Sequence, residues 1–218
     1  MLIFCFLFEI LYFYVVLFNI VGVNVHTHKY IFFVPYMILG NHDYGDYVRW
    51  ASDKEKQTNF NNLCNQHKRM GWDLLRDEHR KLNIAGRKVN IFGVENYSAL
   101  PQFPKHGDLK KAKEGAESAD LNILLSHDPT HWDSQVANKE TDIHLTLSGH
   151  THGFQFGIEI PGFIKWSPSQ WVYNRWAGLY QEKNQYLYVN RGLGCLAYPG
   201  RVGILPEISI LKIESHDS

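Results

Sequence analysis

The chain has 218 residues, with 22 lysines and arginines against 22 aspartates and glutamates, so its formal charge is zero. That balance excludes a bulk nucleic-acid binder, which would carry a basic excess, and a content of 44% hydrophobic and 14% aromatic residues excludes a disordered chain. Three distant cysteines, Cys5, Cys64 and Cys195, with no Cys-x-x-Cys, exclude a disulfide framework and a cysteine zinc site.

Residues 1–23 carry one charge, Glu9, among Phe, Leu, Ile, Tyr and Val. The stretch is long enough to cross a bilayer and is predicted as a hydrophobic segment, a candidate transmembrane helix that would make the protein membrane-associated. It is a poor signal peptide, because no Lys or Arg precedes it, and with Lys29 as the first basic residue its orientation is not set. Its composition equally fits translated non-coding sequence behind a mis-set start codon, and both readings stay open. Residues 24–36 are a connector. No repeat or linker divides residues 37–218, which read as one domain.

Tyr36 to Leu39 reads as a short buried strand that feeds into Gly40-Asn41-His42-Asp43. Ser52 to Met70 is predicted as a helix, with Ser52 and Glu55 as a capping box and Gly71 at the stop. Trp72–Leu75 and Lys88–Val94 read as strands around a polar turn at Arg76-Asp77-Glu78, and Asp108–Ala116 as a short lysine-rich helix with a solvated face. The unbroken apolar run Leu121–Leu125 suits a strand buried on both faces and ends in Ser126-His127-Asp128-Pro129. A helix over 130–137 then leads to a strand at 143–147, with later strands at 156–160, 186–189 and 207–213. Strands outnumber helices, so the pattern predicts an α/β fold of stacked sheets flanked by helices.

Three polar clusters sit at the carboxyl ends of strand-like runs: Asn41-His42-Asp43, His127-Asp128 and His150-x-His152 within Ser148-Gly149-His150-Thr151-His152-Gly153. Loops at the carboxyl ends of strands build the site in layered α/β folds. Imidazole and amide groups are donors for borderline divalent ions, and such an ion makes water a usable nucleophile near neutral pH. Alone, His-x-His describes a loop with two histidines; the company of the other clusters gives it weight. His131 and His144 read as ordinary polar residues.

The ordered trio Gly40-Asn41-His42-Asp43, Leu125-Ser126-His127-Asp128-Pro129 and Ser148-Gly149-His150-Thr151-His152-Gly153-Phe154-Gln155 resembles the calcineurin-like metallophosphoesterases, nearest the bacterial, often membrane-anchored branch. The resemblance runs from about residue 37 to the C-terminus. It implies the C-terminal part of a four-layer α-β-β-α sandwich, behind the N-terminal hydrophobic segment. It also implies divalent metal ions such as Mn, Fe or Zn, and attack of a metal-activated water on phosphorus without a phosphoenzyme. Asn41, His127 and His150 would bind one metal and His152 its neighbour. His42 would be the general acid or charge stabiliser at the leaving oxygen, and Asp43 would accept its ring proton. Arg191 is a candidate contact for phosphate, against the plain reading of a surface arginine. The substrate would be a phosphorylated small molecule or a lipid-linked pyrophosphate, with the membrane as a further partner and no nucleic acid.

The family's Asp-x-His and Gly-Asp-x-x-Asp elements, which supply the carboxylate bridging two ions, should precede Gly40. No aspartate precedes Asp43, Glu9 is the sole upstream carboxylate, and His26-Thr27-His28 follows no Asp. The expectation is a domain truncated at its N-terminal side, holding one ion rather than two and leaving apolar sheet surface uncovered. The rivals to an active phosphoesterase are therefore a catalytically incompetent fragment and a membrane-tethered interaction module.

Overall fold

Alternation along three consecutive strands decides the layers. Val89 and Ile91, Ile123 and Leu125, and Leu145 and Leu147 point to one side and are buried together, while Phe92, Leu124, Leu187 and Val189 point to the other. The computed structural model describes residues 2–9, 12–19, 35–84, 86–196 and 198–214.

The strands are β1 (Leu2–Glu9), β2 (Tyr12–Asn19), β3 (Pro35–Ile38), β4 (Asp73–Leu74), β5 (Glu78–Ile84), β6 (Arg87–Gly93) and β7 (Leu121–Leu125). They continue with β8 (Leu145–Ser148), β9 (Ile158–Ile160), β10 (Ile164–Trp166), β11 (Gly178–Glu182), β12 (Gln185–Val189) and β13 (Ser209–Ile213). One sheet has the order β11-β12-β8-β7-β6-β5, the other β13-β1-β2-β3-β4. In the first, β6, β7, β8 and β12 are parallel neighbours, with antiparallel β5 and β11 at the two edges.

Tyr36, Ile38 and Leu75 from the second sheet pack against Val89, Ile91, Ile123, Leu125, Leu145 and Leu147 of the first, so the main core lies between the sheets. A fully buried side chain of this size stabilises by about 1.5–3 kcal/mol. On the outer face, Leu109 and Ala112 of α2 (Leu109–Lys113) and Trp132 and Val136 of a π-helical turn (Trp132–Val136) cover Phe92, Leu124, Leu187 and Val189. Helix α1 (Asp53–Arg69) is capped by Ser52, whose hydroxyl accepts from the Glu55 amide at 3.2 Å, while the Glu55 carboxylate accepts from Ala51 N–H at 3.0 Å. Its Phe60 stacks on Tyr44 with centroids 5.4 Å apart, which ties the helix to the loop after β3.

The N-terminus departs from expectation. In place of one apolar helix over 1–23, Leu2–Glu9 and Tyr12–Asn19 form two antiparallel strands, and no helix among the described residues is long and apolar enough to cross a membrane. β1 pairs with β13 and β2 with β3. The two runs are rich in the aromatic and β-branched residues that favour strands, and apolar content by itself does not separate strand from helix. Sheet strands thus stand where an uncovered surface was expected. Most of the connector, with His26-Thr27-His28, lies outside the described residues.

Elsewhere the elements fall close to their expected places. The turn at 76–78 is real, with Asp77 accepting from the Glu95 and Asp108 amides at 3.0 Å each. Strands β5, β10 and β11 are additions; their exposed, polar-rich faces give no core-strand signal.

Candidate metal centre

Loops from both sheets meet at one end of the sandwich. Asn41 follows β3, His127 follows β7, and His150 follows β8. The second and third loops are stitched together: Ser126 N–H donates to Leu147 O at 3.0 Å and Gly149 N–H to His127 O at 2.9 Å. The first is docked by contact. A Cβ on Gly40 would fall 2.7–2.9 Å from three atoms of the His127 ring, so the imidazole lies directly on the glycine Cα.

Three atoms then form a small triangle. Asn41 Oδ1 lies 3.0 Å from His127 Nε2 and 3.1 Å from His150 Nδ1, and those two nitrogens are 3.1 Å apart. Asn41 Nδ2 donates to Tyr47 Oη at 2.9 Å, which turns the amide so that its oxygen faces the imidazoles. An ion with bonds of about 2.1 Å holds adjacent ligands about 3.0 Å apart, so the triangle has the dimensions of one face of a coordination shell. His152 adds a buried Nδ1 with no hydrogen-bond partner. These donors fit a divalent ion. Among the described residues no three His, Cys, Asp or Glu side chains gather for a metal; the third donor here is an amide.

The imidazoles are kept neutral, which is the form that binds metal. Burial pushes His150 down to about 3, helped by His152 and His42. Burial takes His152 down to about 4, with Arg201 adding to it, and lowers His127 well below its ordinary value, with His150 as the next cause. His131, between Ser126 Oγ at 2.8 Å and Gln135 Oε1 at 3.1 Å, falls to about 4 by burial. Burial moves Asp43 the other way, up to about 7.

The sign of the acid response follows. Unfolded histidines titrate near about 6.5, so the unfolded chain binds more protons than the native one as pH falls from there toward about 4, and stability is lost over that window. Asp43 opposes this, since its contribution is present at low pH and lost as pH rises toward about 7. Several histidines outweigh one aspartate. The urea midpoint of the metal-free protein is expected to drop steadily from pH 6.5 to 4, and His131→Gln to flatten the slope.

The backbone at this loop is strained. His150, His152, Phe154 and Gln155 have φ of 67°, 51°, 49° and 58°, a left-handed region that costs non-glycine residues about 1–3 kcal/mol each. Thr151 Oγ1 donates to Trp176 O at 2.7 Å, and Ser167 Oγ to Gly153 O at 2.7 Å, holding the loop from both sides.

The other site candidates are placed as follows. His42 is exposed, tilted over Tyr47 with ring centroids 4.5 Å apart. Asp43 is buried and accepts from Gly40 N–H at 2.7 Å. No hydrogen bond joins it to His42 among the described residues, so its carboxylate closes the turn rather than orienting the imidazole. Arg191 departs from the phosphate contact proposed for it. Its Nε donates to Glu207 at 2.7 Å and its Nη1 to Glu159, so two carboxylates neutralise it.

Sequence reasoning passes over Tyr47 and Tyr173, and it places Asp128 in the His127-Asp128 cluster without giving it a role. Asp128 is wholly buried beside His127, and Tyr173 Oη lies 2.9 Å from His150 Nε2. Asp128 was legible in the Ser-His-Asp-Pro run; Tyr173 sits in an aperiodic Trp- and Gly-punctuated loop with no such signal.

The sequence profile described as calcineurin-like phosphoesterase matches residues 12–154. The uncharacterized metallophosphoesterase YkuE of Bacillus subtilis is 32% identical over 82% of this chain and 55% of its own length. A transmembrane protein with metallophosphoesterase domain from Danio rerio is 31% identical over 82% of this chain and 38% of its own. The UDP-2,3-diacylglucosamine pyrophosphatase LpxG of Chlamydia trachomatis is 28% identical over 53% of this chain and 35% of its own. The chain thus spans only part of these curated relatives, and no solved structure matches it. With the family profile covering 12–154 and the three clusters gathered at one end of the sandwich, the chain belongs to the calcineurin-like phosphoesterase family.

Proposed function

We propose that this chain hydrolyses a phosphoester with a divalent ion held by Asn41, His127 and His150, with His152 facing a neighbouring position. The observation that carries the reading is the triangle of donor atoms 3.0–3.1 Å apart. A divalent ion of the Mn, Fe or Zn kind polarises a phosphoryl oxygen and brings the pKa of a water toward neutrality. Residues 37–218 supply the rest. Tyr47 fixes the Asn41 amide, Gly40 seats the His127 ring, and His42, on the exposed rim, gives a proton to the leaving oxygen. Arg191 has no part in phosphate binding in this reading, because its charge is already spent on Glu159 and Glu207.

The substrate is a phosphorylated small molecule or a lipid-linked pyrophosphate; the name of the Chlamydia trachomatis relative supports the second. The Danio rerio relative supports a membrane setting. One observation favours a second reading, in which these residues bind an ion without turnover: the donor triangle is made of two imidazoles and an amide, with no carboxylate in it to join two ions. Equilibrium dialysis with manganese, alongside hydrolysis of bis(p-nitrophenyl) phosphate and p-nitrophenyl phosphate, separates the two. Binding with turnover supports hydrolysis. Binding without turnover supports the second reading, and absence of binding overturns both.

A further inference from the structure

We infer that Asp128, with Tyr173 beside it, is the positioning residue that decides which nitrogen of His150 carries the proton. The inference rests on the ion-binding reading above. His150 can give a lone pair to an ion through Nδ1 only if its proton sits on Nε2. The surroundings of Nε2 are therefore as important as the triangle itself.

Asp128 is completely buried. Its Oδ1 is satisfied twice, by Thr130 N–H at 2.8 Å and Thr130 Oγ1 at 2.7 Å. Its Oδ2 is buried with no hydrogen-bond partner and stands 3.4 Å from His150 Nε2. A buried carboxylate oxygen without a donor is costly, and a proton on His150 Nε2, 3.4 Å away, would lower that cost. Tyr173 Oη, 2.9 Å from the same nitrogen, can accept from that N–H as well.

The opposite tautomer would put a lone pair on Nε2 against the carboxylate. It would also put an N–H on Nδ1 where the ion belongs. With the proton on Nε2, His127 Nε2–H can donate into the triangle, toward Asn41 Oδ1 at 3.0 Å and His150 Nδ1 at 3.1 Å, while Asn41 Oδ1 and His150 Nδ1, 3.1 Å apart, are left as two acceptors facing the place of an ion. The ring cannot rotate out of this choice. Phe103 and Tyr173 stand edge-on to it with centroids at 4.8 and 5.5 Å, and His127 at 4.9 Å. A carboxylate behind a metal-binding imidazole fixes its tautomer and raises its basicity.

Long-range proton–nitrogen correlation spectra of the metal-free protein, with His150 assigned by its absence in His150→Gln, read the tautomer directly. The Nε2–H form is expected in the wild type and the Nδ1–H form in Asp128→Asn, whose amide can donate to Nε2. Manganese affinity by equilibrium dialysis is expected to fall about 10–100-fold in Asp128→Asn and less in Tyr173→Phe, with the unfolding midpoint of the metal-free variants near that of the wild type. An Nδ1–H wild type, or an Asp128→Asn that keeps both tautomer and affinity, overturns the inference. Should Asp128→Asn fail to fold, the wild-type tautomer decides. A wild type that binds no manganese defeats only the ion-binding reading, and the tautomer still supports or overturns the role of Asp128.

Discussion

His150→Ala is expected to weaken manganese binding by more than about 100-fold and to bring hydrolysis of an aryl phosphate to background. The size follows from where His150 stands. Its Nδ1 contributes one corner of the donor triangle, 3.1 Å from both Asn41 Oδ1 and His127 Nε2. Losing a residue that merely supports a metal ligand costs roughly 10–100-fold, and loss of the ligand itself exceeds that. Removal of the ring also leaves the buried Asp128 carboxylate without its facing donor and empties the space boxed by Phe103 and Tyr173. Calorimetric titration with manganese and an aryl phosphate assay check it. Full retention of binding in the folded variant would sink the assignment of His150.

Gly40→Ala is expected to cost about 10–100-fold in manganese affinity although no donor atom is removed. A methyl at residue 40 falls 2.7–2.9 Å from Cε1, Nδ1 and Nε2 of His127, closer than real carbon contacts allow. The His127 ring has nowhere to yield, since the loop carrying it is bonded to the loop after β8. The imidazole must tilt, and Nε2 leaves the 3.0 Å contact with Asn41 Oδ1. Overpacking of this kind also costs about 1–3 kcal/mol of stability. Titration with manganese, with circular dichroism to confirm the fold, gives the readout. An alanine variant with unchanged affinity would show that the ring does not need the glycine beneath it.

The two substitutions act at opposite ends of one chain of cause. Gly40 follows a strand of the second sheet, and His127 and His150 follow strands of the first, so the centre exists only while the two sheets hold their spacing. That spacing is set by Tyr36, Ile38 and Leu75 packed against Ile91, Ile123, Leu125 and Leu147.

Much of this was written in local sequence. Apolar runs ending at Leu39, Leu125 and Leu147 announced three strand ends, and the polar residues just beyond them proved to share one edge of the sandwich. The Ser52 cap of α1 and the turn at Asp77 were legible for the same reason, because each needs only residues within a few positions of one another. The N-terminal run misled because aromatic and branched residues satisfy an apolar helix and a paired strand equally. Its strand character depends on β3 and β13 as neighbours, and β13 lies about 200 residues away along the chain.

What the sequence by itself determined is the family, the donor types and their places at strand ends, since these follow from short-range pattern and side-chain chemistry. Tertiary structure alone decided which charges are spent and which groups are orphaned. Arg191 met Glu159 and Glu207, Asp43 turned to Gly40, and Asp128 and Tyr173 closed on His150. Electrostatics and hydrogen bonding act over a few ångströms of space, without regard to how many residues of chain lie between.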